Sequence, residues 1–384
     1  MSSKNYVDLE KELEQITHLN NILSLAQWDS ATNLPKGASA SRQQEIASVS
    51  ALSHKLSTST ELGKLIQDTK ANSEQLNQWQ QANLQLIDKL YQNAICTTPA
   101  VEHEYNLASA GCEYIWRECR TENNFQKLAP YLDRVFNSIQ TISALKADKL
   151  GADQYGLLLD AHYPGRTVAE VNNTYATLKK ELPPLIKKIT AKQRQEKVLP
   201  LTEKIDEATQ KAIGLEIIKN MGFDMGKGRL DKSVHPFCSG SNDDVRLTTR
   251  YNEDDFLTGL YAIVHETGHG LYQQNLPAAY RNQPVGSYKG MAFHESQSLI
   301  MEMQACISPN FNEYLAKLLR DKFQFRGKEY EAENLYKLMT RVEPSLIRVD
   351  ADEITYPLHV ILRFEIEQDI IAGNIKAADL PTVW

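Results

Sequence analysis

The chain has 384 residues, of which 42% are apolar and 24% charged, and a formal net charge of −7. This is the balance of an ordinary globular protein with room for a sizeable core. It excludes the basic field of a typical nucleic-acid binder, and no apolar run approaches the roughly 18 residues that suggest a membrane span. The first residues, MSSKNYVDLEKELEQ, carry no positive flank ahead of an apolar stretch, so no secretory leader is expected. Cys96, Cys112, Cys119, Cys238 and Cys306 are odd in number and form no C-x-x-C pair. Free thiols in a reducing compartment, the cytoplasm, are the expectation.

In chain order, Val7, Leu9, Leu13, Ile16, Leu19 and Leu23 recur at near-helical spacing, predicting a helix over 7–28. Asn33, Pro35 and Gly37 punctuate it, and the spacing resumes over 42–66. Further helices are expected over about 73–96, 99–121, 125–147 and 167–195, with Pro99 at a first turn behind two capping threonines. A turn is expected over 160–166, and the lysines of 178–197 read as a solvated helix face. Strand signal is confined to 244–251 and 230–237, with the CSGSND segment between them read as a loop. The fold class expected is all-α, predominantly helical with a few short strands near the site, as one domain over 1–384.

The segment 256–275, FLTGLYAIVHETGHGLYQQN, is helical by the spacing of Phe256, Leu260, Val264, Thr267 and Leu271. His265 and His269, four apart, share one face and can reach one metal ion. Glu266 beside them can act on the metal's water as a general base without binding the ion. Burying two histidines and a glutamate without partners is costly, which weighs against a purely structural role. Gly268 and Gly270 imply either a close approach to the backbone or close helix packing. A second helix-like segment, 291–306, offers Glu295 as third ligand, twenty-six residues after His269. Glu302 is the runner-up, two turns further on. His294, adjacent to Glu295, points elsewhere and is assigned to substrate or to support of the ligands. Two histidines and one carboxylate leave a coordination position open, the pattern of a catalytic rather than structural site. The ligand set suits zinc first and cobalt second.

Beyond the histidine motif, the chain resembles the carboxypeptidase Taq (M32) family of thermostable metallocarboxypeptidases. The resemblance rests on Trp28-Asp29, Pro35-Lys36-Gly37, Leu158-Leu159-Asp160 with Pro164-Gly165, and His235-Pro236-Phe237. It continues through Asp244, Arg246 and Thr248, the HETGH of 265–269, the HESQ of 294–297 and the IRVDAD of 347–352. It implies a mostly helical, saddle-shaped homodimer with a long substrate groove and a zincin-like site. Such an enzyme removes residues singly from free peptide C-termini, with broad side-chain preference and poor tolerance of proline. It also implies the metal roles already given to His265, His269 and Glu295 and the base role of Glu266. Arg348 is implied to meet the substrate's terminal carboxylate, for which a guanidinium fork is suited. Pairing of Arg348 with Asp350 or Asp352 is the competing structural reading. Arg246, His235 and Tyr356 are the remaining substrate-side candidates, with His359 near enough to join the groove wall.

Family members continue through further helices bearing a G-x-x-Q-D-x-H-W motif, which this sequence does not reach. The alternative expectation is therefore a shortened relative that keeps metal or peptide binding without turnover. A zinc endopeptidase or aminopeptidase is the other. No nucleic-acid or membrane partner is expected.

Overall fold

In the computed structural model, which describes residues 4–348 and 351–384, the chain is predominantly helical with one small sheet. It divides into two compact units. Unit 1 comprises 1–91 and 196–341, and unit 2 comprises 92–195 and 342–384.

The first helices of unit 1 are α1 (Lys4–Thr32), α2 (Ser39–Ser57), α3 (Thr60–Lys70) and α4 (Gln78–Ala94). The continuous helix expected over 42–66 is broken at Thr58-Ser59, because the Ser59 hydroxyl accepts the Leu62 amide at 3.1 Å and caps a new helix. Tyr6, Leu9, Leu13, Ile66, Leu84 and Ile87 form the apolar cluster of this part. The buried amide of Asn83 ties it to a distant segment, donating to Gln283 Oε1 at 3.0 Å and accepting from the Val285 amide at 3.1 Å.

Unit 2 begins with α5 (Pro99–Glu122), α6 (Phe125–Leu150), α7 (Gln154–His162) and α8 (Val168–Gln193). Thr98 caps α5 ahead of Pro99, as its sequence indicates. The turn expected over 160–166 starts later, because α7 runs through His162. Lys179, Lys180, Lys187 and Lys188 lie exposed along α8, a solvated face.

Unit 1 resumes with α9 (Glu207–Asn220), β1 (Gly228–Lys232), β2 (Cys238–Ser241), β3 (Asp244–Thr249) and α10 (Phe256–Gln274). The sheet order is β1-β3-β2. β1 and β3 run parallel, with Arg229 opposite Arg246. β2 is antiparallel to β3, with Cys238 opposite Leu247. The segment read as a loop thus supplies the edge strand, and it doubles as the crossover that parallel neighbours require.

Next come α11 (Met291–Leu299), a π-helical turn (Ile300–Ala305), α12 (Pro309–Phe323) and α13 (Ala332–Met339). Unit 2 ends with α14 (Tyr356–Ile371) and α15 (Leu380–Val383). All five cysteines are free. Among the described residues no helix is long and apolar enough to cross a membrane.

α10 is the spine of unit 1. Its Phe256, Leu260 and Val264 join a cluster with Ile213, Leu315 and Leu319 of α9 and α12. Its Ile263 packs instead with Leu230, Val245 and Leu247 of the sheet. A helix wedged between two apolar clusters has little freedom to shift, which suits an element that must hold side chains to a fixed geometry.

Candidate metal centre

The start of α10 is fixed by Asp255, whose carboxylate accepts the Thr258 amide at 3.3 Å. One helical turn separates His265 from His269 on the face turned toward α11. Close approach of α11 is possible because residue 268 is glycine. A Cβ placed there would lie 2.6 Å from Ser298 Cα and 2.8 Å from the Gln297 carbonyl oxygen. At Gly270 it would meet Phe223 and Leu247 at 2.6 and 2.9 Å. Both glycines therefore serve packing, one on each flank of the helix. Gly290, at φ 79°, turns the chain into α11 in a conformation that side-chain-bearing residues rarely adopt.

This approach brings Glu295 to the two imidazoles. Its Oε1 lies 3.6 Å from His265 Nε2 and its Oε2 lies 3.2 Å from His269 Nε2. Ligating atoms of the three residues all fall within 4.8 Å of one another. Tetrahedral bonds of about 2.0–2.2 Å separate ligand atoms by about 3.4 Å, so the donor set fits a single divalent ion. It is also the one such group of histidine, cysteine and carboxylate side chains among the described residues.

The remaining nitrogens are engaged too. His265 Nδ1 lies 2.6 Å from Glu302 Oε2, and His269 Nδ1 lies 2.5 Å from His294 Nδ1. The ring of His294 is buried and packs edge-on to Tyr272 and Tyr288, with centroids 5.1 and 4.9 Å away. Glu302 thus touches a ligand without joining the ligand group. It is displaced from the ligand position weighed for it in the sequence, because it stands two turns beyond Glu295 and meets the far nitrogen of His265.

Glu266 is 6% exposed and is not part of the ligand group. Burial pushes its carboxyl up to about 7; His265 and His269 pull it back, while Glu295 and Glu302 push it further up. Burial also raises Glu295, but the hydrogen bond from His269 and the neighbouring imidazoles hold it below the ordinary carboxylate value. For His265, burial works downward, and the Glu302 hydrogen bond and charge carry it above its usual value. His294 is lowered to about 4, first by burial and then by His269.

The elevated Glu266 has a consequence for the metal-free protein. A carboxyl whose folded pKa exceeds its unfolded value adds stability below the unfolded pKa, and loses it as pH rises through the folded one. Metal-free Glu266→Gln is therefore expected to match the parent near pH 4 and to be more stable at pH 8, by about 2–3 kcal/mol. Urea unfolding of both proteins across that range checks this. Equal pH dependence would show that Glu266 carries no such burden.

The other sequence candidates are differently placed. Arg246 donates through Nε and Nη2 to the two oxygens of Asp244, at 2.9 Å each, and lies 4.2 Å over the ring of Trp28. Arg229, its register partner, lies over the same indole at 5.0 Å. A small cavity beside α1 and β2 includes Arg246 but none of the three ligands. His235 is exposed on the 233–237 connection, a segment held by Ser233 and the Phe237 amide at the Thr248 hydroxyl, both at 2.8 Å. Arg348 and Tyr356 belong to unit 2, where the guanidinium donates to the Tyr356 hydroxyl at 3.2 Å. Asp352 accepts the Ile354 and Thr355 amides in the turn that precedes α14 and is not the partner of Arg348; Asp350 lies outside the described residues. Sequence spacing does not reveal the indole shared by the two arginines or the tyrosines around His294, which only the tertiary fold assembles.

Comparison with known proteins gives the same direction throughout. The family model described as carboxypeptidase Taq (M32) metallopeptidase matches residues 8–384. Carboxypeptidase 1 of Bacillus subtilis is 31% identical over 382 residues, covering 99% of this chain and 75% of the relative. Thermostable carboxypeptidase 1 of Thermus thermophilus is 31% identical over 397 residues, covering 99% and 76%. Among solved structures, metallocarboxypeptidase 1 of Trypanosoma cruzi superposes with a TM-score of 0.95 at 34% identity, over 99% of this chain and 76% of that one. The chain spans about three quarters of the length of these relatives.

Proposed function

This chain belongs to the carboxypeptidase Taq (M32) metallopeptidase family, and on that premise we propose that it releases residues singly from the free C-termini of peptides. The single observation carrying the reading is the convergence of His265, His269 and Glu295 within 4.8 Å. A divalent ion there, zinc first and cobalt second, supplies Lewis acidity to the scissile carbonyl and to water. His265, His269 and Glu295 would hold it. Glu266, buried at the edge of this set, takes a proton from the attacking water onto its carboxylate and hands it to the leaving amine. The site in this reading is zincin-like, at the base of a long substrate groove.

An exopeptidase also needs a cation fixed one residue's length from the cleaved bond, and Arg348 is assigned that role. Its support is the family resemblance of the 347–352 motif and the planar fork of a guanidinium. Tyr356, the hydrogen-bond partner of Arg348, is assigned to the same task. Arg246, His235 and His294 are kept as substrate-side residues. Both units are assigned to one catalytic domain because the family match runs across them. Broad side-chain preference, a homodimer and a cytoplasmic setting belong to the same proposal; the family resemblance supports the first two, and the free thiols the third.

The test uses the 384-residue chain, stripped and reloaded with zinc or cobalt, and offered peptides blocked at the N-terminus or at the C-terminus, followed by mass spectrometry. A ladder shortened from the C-terminus is the expected result. Internal cuts would favour an endopeptidase, and cleavage only of C-terminally blocked peptides an aminopeptidase. Metal binding without any cleavage would leave a non-turnover relative.

A further inference from the structure

Where α11 ends, the helix changes register. Residues Ile300–Ala305 form a π-helical turn, with the Cys306 amide donating to the Met301 carbonyl five residues back at 2.9 Å. Such turns are rare and collect at functional sites. In a regular helix Glu295 and Glu302, seven apart, would stand about 10 Å apart along the axis. Here both carboxylates meet the same imidazole from opposite edges, Glu295 near Nε2 and Glu302 at Nδ1. The wider turn packs more residues into each ångström of rise, which brings Glu302 back toward His265.

Resting on the metal reading above, we propose that Glu302 is a positioning residue, which with His294 presets both ligating histidines as Nδ1–H tautomers with their Nε2 lone pairs turned to the metal. A neutral imidazole has one donor nitrogen and one acceptor. Both Nε2 atoms face Glu295, so to ligate there each Nδ1 must carry the hydrogen and needs an acceptor. An ionised carboxylate accepts only, and Glu302 therefore admits one tautomer of His265. At His269 the acceptor must be Nδ1 of His294, which places the hydrogen of His294 on its Nε2. The two supports are unequal. An anionic acceptor makes His265 the more basic ligand, so the larger loss falls on removal of Glu302.

The test is metal affinity, measured by chelator competition on Glu302→Ala, Glu302→Gln and Glu302→Asp. Glu302→Ala is expected to bind zinc roughly 10–100-fold more weakly. Glu302→Gln, which keeps an acceptor oxygen but no charge, should fall between, and Glu302→Asp should recover part of the loss. In the cobalt-loaded protein the two imidazole N–H protons give exchangeable, paramagnetically shifted resonances, and the alanine variant is expected to lose one of them to solvent exchange. Circular dichroism of the metal-free variants checks folding, and if the alanine variant does not fold the glutamine variant decides. Parental zinc affinity in the variants, with both resonances retained, overturns the proposal and leaves the metal centre standing. Failure of the parent to bind metal overturns both.

Discussion

Glu266→Gln is expected to lower kcat/KM on a blocked peptide by roughly 10²–10⁴-fold while zinc affinity stays at the parental value. Glutamine fills the same volume, and Glu266 is outside the ligand group, so neither the packing of α10 nor the donor set changes. What disappears is the oxygen that receives a proton. The pH profile separates this from a structural effect. A general base works ionised, so parental kcat/KM should rise with pH through the Glu266 pKa. That value is near 7 for the metal-free side chain and is drawn lower by a cation close by, which favours the charged form. The variant should lack this acidic limb. Appreciable turnover by the glutamine variant, with the limb intact, would move the base to another residue.

Gly268→Ala should act on the same site from behind. Its new methyl would sit 2.6 Å from Ser298 Cα and 2.8 Å from the Gln297 carbonyl, both backbone atoms that cannot rotate aside. α11 must retreat by on the order of 1 Å, and displacements of that size cost about 100-fold in rate. Because α11 carries Glu295, metal affinity should fall along with kcat/KM. Stability should drop by about 1–3 kcal/mol, although alanine in itself favours helix by about 1 kcal/mol. Gly270→Ala is the control. Its methyl would meet Phe223 and Leu247 on the sheet side, so it should cost stability and spare metal binding. Chelator competition and thermal melts on both variants decide, and equal zinc affinities in the two would show that Gly268 does not set the position of Glu295.

Much of the centre was legible because its information is local. Two histidines four apart share a helix face whatever else the chain does, and the apolar spacing from Phe256 to Leu271 identifies that helix without tertiary knowledge. Glu295 was reachable because one loop and one further helical segment suffice to return the chain. The edge strand β2 was not legible. Cys-Ser-Gly-Ser has little strand preference of its own, and its extended form comes from pairing with β3 and packing against α1. The contact of Glu302 with His265 was hidden for another reason. Counting regular turns places the two carboxylates too far apart, and no residue in Ile300–Ala305 announces a wider one. The stacking of Arg229 and Arg246 on Trp28 requires the parallel register of β1 and β3, which sequence spacing does not reveal.

Asn83 has a consequence on the time axis of synthesis. Its amide pairs with Gln283, 200 residues later, and the intervening chain includes all of 92–195, which belongs to the other unit. At ribosomal rates of ~5–20 residues per second, the partner emerges ~10–40 s after Asn83 itself. Over that interval the first four helices can gather their own apolar cluster, with the Asn83 amide donating to the Tyr6 hydroxyl at 3.1 Å, but its partners at Gln283 and Val285 are still missing. The nascent N-terminal part is therefore a half-finished body waiting for its closing segment, and that interval is when chaperone occupancy on the growing chain should be greatest.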